Sequence, residues 1–119
     1  MSFRIAEKQA KKSPFLKHRV GAVIMKGSRV LSTGFNRIRY NRFSKRPTAH
    51  AEASAITNLL RQSRLDDLCN SDIYVTRFTK SGTVSCAKPC VHCFNLIQAV
   101  GIRKIFYTDF DGKVQEVKV

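Results

Sequence analysis

Two short segments hold most of the chemistry in this chain, His50-Ala51-Glu52 and Pro89-Cys90-Val91-His92-Cys93. Each falls at the start of a predicted helix. Cysteines three apart on a helix share one face, so the sulfurs of Cys90 and Cys93 can reach a single ion. One histidine, His50, completes three protein ligands from the other helix. Three ligands rather than four is the pattern of a catalytic zinc site, which keeps its remaining position for water. Zinc lowers the pKa of such a water from about 15.7 to about 7, so hydroxide forms near neutral pH. Two helix N-termini aimed at the ion add positive potential, which favours thiolates and hydroxide. Glu52 lies two residues past His50, close enough to approach the water without being a ligand, and its task would be proton transfer.

The same cysteines fit two plainer readings, a structural zinc knuckle and a redox pair. A structural site wants a fourth ligand, for which Cys86 and Cys69 are on hand, but it leaves Glu52 without a role. Cys86, four residues before Cys90, reads as a loop residue packed near the site. His92 faces away from Cys90 and Cys93 on a regular helix, which suits a surface residue. His18 precedes the first strand, near where a pocket mouth would lie. Asn36 closes the second strand, where its side chain tolerates unusual turn angles.

The elements that must position these groups follow from periodicity. Residues 3–12 read as a short amphipathic helix, stopped by Ser13-Pro14. The apolar run Val20–Met25 and the segment Arg29–Asn36 flank a Lys26-Gly27-Ser28 turn, which predicts an antiparallel hairpin. Residues 37–48 read as a loop with five basic residues and no acid. His50 to Arg61 has apolar residues at helical spacing. Asp72–Phe78 is strand-like, and Pro89 is predicted to open a helix through Val100 that Gly101 stops. Lys104–Thr108 reads as a buried strand and Lys113–Val119 as an edge strand. This order predicts an α/β fold, a mixed sheet with helices on its faces.

At 119 residues, 43% of them hydrophobic, the chain has material for one core, and residues 1–119 are expected to form a single domain. Three of the four cysteines crowd into one segment without a secretory context, which favours metal binding over disulfides. The N-terminus lacks the apolar centre of a secretion signal, and no stretch approaches the roughly 18 to 20 apolar residues of a membrane span. A cytoplasmic location with no membrane partner is therefore expected. The net charge of +14 predicts attraction to an anion, either nucleotide phosphates or a polynucleotide. Within the basic loop, Arg37, Arg39, Arg42, Lys45 and Arg46 interleave with Tyr40 and Phe43. That mixture suits gripping a backbone and stacking bases, or merely a solvated loop that attracts phosphate.

His-x-Glu followed by Pro-Cys-x-x-Cys is the signature of zinc nucleobase deaminases. With it come HRVGAVIM, VLSTGFN, THAEASAI and KPCVHCFNLIQAVGIRKIFYTD. Together these resemble the cytidine and deoxycytidylate deaminase superfamily from about residue 13 to residue 109, closest in look to its deoxycytidylate branch. The resemblance implies a three-layer α/β/α fold around a mixed five-stranded sheet, with zinc on His50, Cys90 and Cys93. By the same likeness Glu52 shuttles protons, Asn36 contacts the sugar and the Ala51 backbone holds the base edge. Tyr107 and Phe35 would wall the pocket, with His18 near its mouth. It also implies a homo-oligomer. Phe94-Asn95 departs from the alanine that often follows the second cysteine, and the chain lacks the insertions used for regulation by nucleoside triphosphates.

The expected reaction is conversion of cytosine to uracil by hydroxide attack on C4, on a free nucleotide such as deoxycytidylate or a related cytidine compound. The first alternative is a deaminase acting on cytosine or adenine within single-stranded DNA or RNA. The second is a nucleic-acid-binding module with a structural zinc.

Overall fold

The computed structural model describes residues 2–14, 18–38, 48–62 and 68–119. Its elements in chain order are α1 (Ser2–Ala10), β1 (Arg19–Lys26), β2 (Arg29–Phe35), β3 (Arg37–Ile38), β4 (Thr48–Ala49), α2 (Ala51–Arg61), β5 (Asp72–Phe78), β6 (Val84–Ser85), α3 (Val91–Ala99), β7 (Lys104–Thr108) and β8 (Val114–Lys118). The main sheet runs β2-β1-β5-β7-β8, the five strands expected, and a sixth, β6, pairs with β5 off this path. Among the described residues β5 and β7 are the parallel pair of this sheet, and its other pairings are antiparallel. A parallel neighbour cannot be reached by a tight turn, so the chain crosses over through α3 before returning as β7.

β1 lies inside the sheet with helices over both faces, which is why its sequence is a continuous apolar run rather than an alternating one. Ala22 and Ile24 face the large core with Ile56 and Leu59 of α2, Ile73 and Val75 of β5, Ile97 of α3 and Ile105 of β7. Val23 and Met25 face the other way, toward Ala6 of α1. Burying each such aliphatic side chain is worth roughly 1.5–3 kcal/mol, so the α2/α3 face supplies most of the stabilisation. On the α1 face, Tyr74 stacks on Phe106 at 4.7 Å between centroids and meets Phe3 edge-on at 5.4 Å. The layers are thus α1, sheet, then α2 with α3.

Two glycines set how closely the helices approach. A Cβ on Gly21 would lie 2.0 Å from the Ala6 carbonyl oxygen, and one on Gly34 would lie 2.5 Å from the Ala55 amide nitrogen. α1 and α2 therefore rest directly on strand backbone, which places the start of α2 against β2.

The element boundaries shift from the sequence expectation for identifiable reasons. α1 ends at Ala10 rather than Lys12, because the amides of Lys12 and Ser13 bond back only three residues, to the carbonyls of Gln9 and Ala10. Such tightening is expected just before Pro14. α3 begins at Val91 rather than Pro89, since Cys90 keeps an extended backbone (φ −69°, ψ 166°). Gly101 stops the helix as expected, at φ +90°. Beyond β5 the chain makes a tight turn, Thr79 to Thr83, that feeds β6 back against β5. β3 and β4 form a second, two-stranded sheet. Two-residue strands leave no periodic trace, so none of the three was foreseen. Arg39, Tyr40, Arg42, Phe43, Lys45 and Arg46 of the basic loop lie outside the described residues, and Arg37 is described in its backbone alone. Among the described residues no helix is long and apolar enough to cross a membrane.

Candidate metal centre and active-site cleft

His50 and Cys90 hold the same structural office on two helices: each is the N-cap residue. Both have extended torsions, and their carbonyls accept the first helical hydrogen bonds, from Ser54 N at 2.9 Å and Phe94 N at 2.8 Å. Neither side chain caps its own helix, which leaves both free to face each other. Cys93 follows one turn inside α3 and is buried. His50 Nδ1 lies 3.2 Å from Cys93 Sγ and 3.8 Å from Cys90 Sγ. All three donor atoms fall within 4.8 Å of one another.

This set fits zinc. Bonds of about 2.0 Å to nitrogen and 2.3 Å to sulfur at a tetrahedral angle put the two donors about 3.5 Å apart, between the two observed separations. Among the described residues no fourth protein donor joins the group, so one tetrahedral corner is left for a non-protein ligand. Cys86 lines the neighbouring cleft, half-buried, without joining the cluster. Cys69 and His92 are exposed.

Glu52 adds a buried carboxyl, only 5% exposed, next to the sulfurs. Burial pushes its pKa up, and hydrogen bonds from its own backbone amide and from Cys93 only partly offset this. The Cys93 thiol is also pushed up, first by burial and then by the negative charges of Glu52 and Cys90. Ionising Glu52 and Cys93 is thus made costly by burial, and for Cys93 by neighbouring negative charge as well, and a bound cation is what relieves it. The cluster opens onto a cleft of about 370 Å³, near the lower end of small-molecule sites.

The model of the cytidine and deoxycytidylate deaminase zinc-binding region matches residues 1–109. The chain belongs to this family. It is 32% identical over 126 aligned positions to the deoxycytidylate deaminase of Mycobacterium phage D29, covering 87% of this chain and 88% of that one. It is 30% identical over 94 positions to a tRNA-specific adenosine deaminase of Aquifex aeolicus (strain VF5), covering 79% of this chain but only 54% of the relative's length. Among solved structures, the cytidine deaminase of Burkholderia pseudomallei superposes with a TM-score of 0.73 at 18% identity, over 98% of this chain and 89% of that one. That last likeness speaks to the α/β fold. The family is one of zinc-dependent deaminases, and His50, Cys90 and Cys93 are arranged as its metal site requires.

Other residues singled out from the sequence fall in several places. Ala51, His18 and Asn36 line the cleft with His50, Glu52 and Cys90. The Asn36 amide is engaged with backbone: its Oδ1 accepts from Val20 N at 2.9 Å, and its Nδ2 donates to the His18 carbonyl at 2.5 Å. Phe35 lines a different hollow, with Thr33, Ser54 and Asn58, and Tyr107 packs half-buried against the main core. Arg77 and Lys88, which the sequence reading passed over, also line the cleft. A signal for Arg77 was present in DIYVTRF, because strand alternation puts it on the same face as the buried Ile73 and Val75. The segment that carries Lys88 is tied to β7 by Ala87 N to Thr108 O at 2.8 Å and by Thr108 Oγ1 to Ser85 O at 2.9 Å.

Proposed function

We propose that the chain acts as one deaminase domain that hydrolyses cytosine to uracil on a free nucleotide, deoxycytidylate first among the candidates. The observation that carries this reading is the buried Glu52 carboxyl beside a nitrogen-sulfur-sulfur donor set with one corner left over, at the base of a nucleotide-sized cleft. The relative at 32% identity over most of both chains is a deoxycytidylate deaminase, which favours that substrate.

In this reading His50, Cys90 and Cys93 hold zinc. The bound metal supplies a Lewis acid that brings the pKa of water down to about 7. Glu52 would carry both protons of the attacking water in turn, the first to ring N3 as the water oxygen bonds C4 and the second to the exocyclic nitrogen as its bond to C4 breaks. Cytosine and water thereby become uracil and ammonia. A carboxyl with a raised pKa suits this task, since a group that must both accept and return a proton works best near the ambient pH. Ala51, buried at the first helical position, sets its backbone at the cleft wall where a base edge would lie.

Zinc-replete protein is expected to release ammonia from deoxycytidylate with a one-dalton mass gain, and the Glu52→Ala variant is not. Absence of turnover on every cytosine nucleoside and nucleotide would overturn the reading. Charge favours one competing substrate, a base within single-stranded nucleic acid, because +14 is large for 119 residues and a second relative is a tRNA adenosine deaminase. An oligonucleotide arm in the same screen separates the two, with binding that weakens as salt rises.

A further inference from the structure

Arg77 is set where a cation has no structural reason to be. On β5 the side chains of Ile73 and Val75 point into the core beneath α2 and α3, and Arg77 is next along that face. It is internal, paired with Val20 of β1 on one side and with Ser85 of β6 on the other. Its Nη2 donates to His18 Nδ1, and its Nε is buried with no hydrogen-bond partner. A guanidinium only donates, so that ring nitrogen accepts and a neutral His18 carries its proton on Nε2.

Among the described residues no carboxylate is paired with Arg77 or His18. Among the described residues that line the cleft, Arg77 and Lys88 are the basic side chains besides the histidines and Glu52 is the one carboxyl, which lies buried against Cys93. Asp72 is held by Arg103 at 3.0 Å, Glu116 by Lys104 at 3.0 Å, and Asp109 by the turn between β7 and β8. A desolvated guanidinium N–H costs stability until an acceptor reaches it, and a bound anion supplies one with a charge-assisted bond.

We infer that Arg77 and His18, with Lys88 at the rim, form an anion subsite in the cleft that takes a substrate phosphate. The site therefore selects phosphorylated substrates over bare nucleosides. Asn36 is a positioning residue for it: its amide ties down Val20 and the His18 carbonyl, fixing the stretch that presents the His18 ring to Arg77. This inference rests on the proposed deamination in the same cleft. To the likeness that favours a nucleotide it adds a reason within the cleft itself.

The test measures binding of the uracil products to zinc-loaded protein by calorimetry, so it does not depend on turnover. Deoxyuridylate is expected to bind at least about 30-fold more tightly than deoxyuridine. The Arg77→Gln variant should bring that ratio below about threefold, and Arg77→Lys should restore part of it. A short single-stranded oligonucleotide containing uracil forms the second arm, separating a terminal phosphate from a backbone phosphodiester as the natural source. Equal affinity of the unmodified protein for deoxyuridylate and deoxyuridine, with no Arg77 dependence in the oligonucleotide arm, would overturn the inference even if Arg77 variants failed to fold. If deoxycytidine and deoxycytidylate are turned over equally well, the deaminase stands and the subsite falls. If phosphate-dependent binding persists without any deamination, the subsite stands and the catalytic reading falls.

Discussion

Two hollows take side chains from α2, and they differ in kind. The cleft of about 370 Å³ draws Ala51 and Glu52 from its first turn and His50 from its N-cap, and adds Cys90, Arg77 and His18 from three other parts of the chain. The smaller hollow, about 180 Å³, draws Ser54 and Asn58 from the next two turns and faces Gln9 and Lys12 near the end of α1. Both are polar. In the smaller one, however, the Asn58 amide is spent on the Thr33 carbonyl at 2.9 Å, and Lys12 is the sole charged side chain among the described residues that line it. Polar lining alone therefore marks nothing. What distinguishes the cleft is convergence of unlike titratable groups at two helix N-termini, where burial pushes Glu52 and Cys93 up and the charge of Glu52 adds to the rise at Cys93.

Removing a donor should break this contrast most completely. Cys90→Ala is expected to lose zinc and all measurable deamination, as read by metal analysis and ammonia release. Retention of one zinc per chain with normal turnover would mean that the donors lie elsewhere. Glu52→Gln should be next, lowering kcat by about 10² to 10⁴-fold with metal content unchanged. Loss of zinc in that variant would place Glu52 in the coordination sphere instead.

The strand beneath α2 offers a third probe. In Gly34→Val the new side chain meets the backbone of Ala51 and Ala55, at 2.7 Å and 2.5 Å from its Cβ. The expected cost is about 3 kcal/mol in urea unfolding, with activity falling because His50 and Glu52 ride on the displaced helix. An unchanged denaturation midpoint would show that α2 is not seated on β2 as described. Asn58→Ala should have the smallest effect, about 1 kcal/mol for one lost hydrogen bond, with kcat/KM within about twofold of the parent. A drop in kcat comparable to that of Glu52→Gln would join the smaller hollow to the active site and erase the difference between them.

Much of the α/β fold was legible beforehand, because its elements are strongly patterned. β7 matches the expected strand Lys104–Thr108, and β5 matches Asp72–Phe78, since both are dense in β-branched and aromatic residues. The zinc donor set was legible as well, because cysteines three apart constrain geometry locally. Phe35 and Asn36 were harder. Both belong to one short motif, yet they go to different hollows, since adjacent residues at a strand end point to opposite sides. Arg77 carried a signal in its strand parity, but parity does not say whether the face it shares ends in core or in cleft.

Local chemistry in the chain settled which side chains could serve together as metal donors beside a carboxyl and which segments would be strand or helix. These depend on spacings of a few residues and on side-chain identity. The packing of α2 on Gly34, the 43-residue gap closed between His50 and Cys93, and the seating of Arg77 against His18 were decided only by the tertiary structure. Each joins groups far apart in the chain, and distances across a fold depend on how whole layers pack rather than on any local pattern.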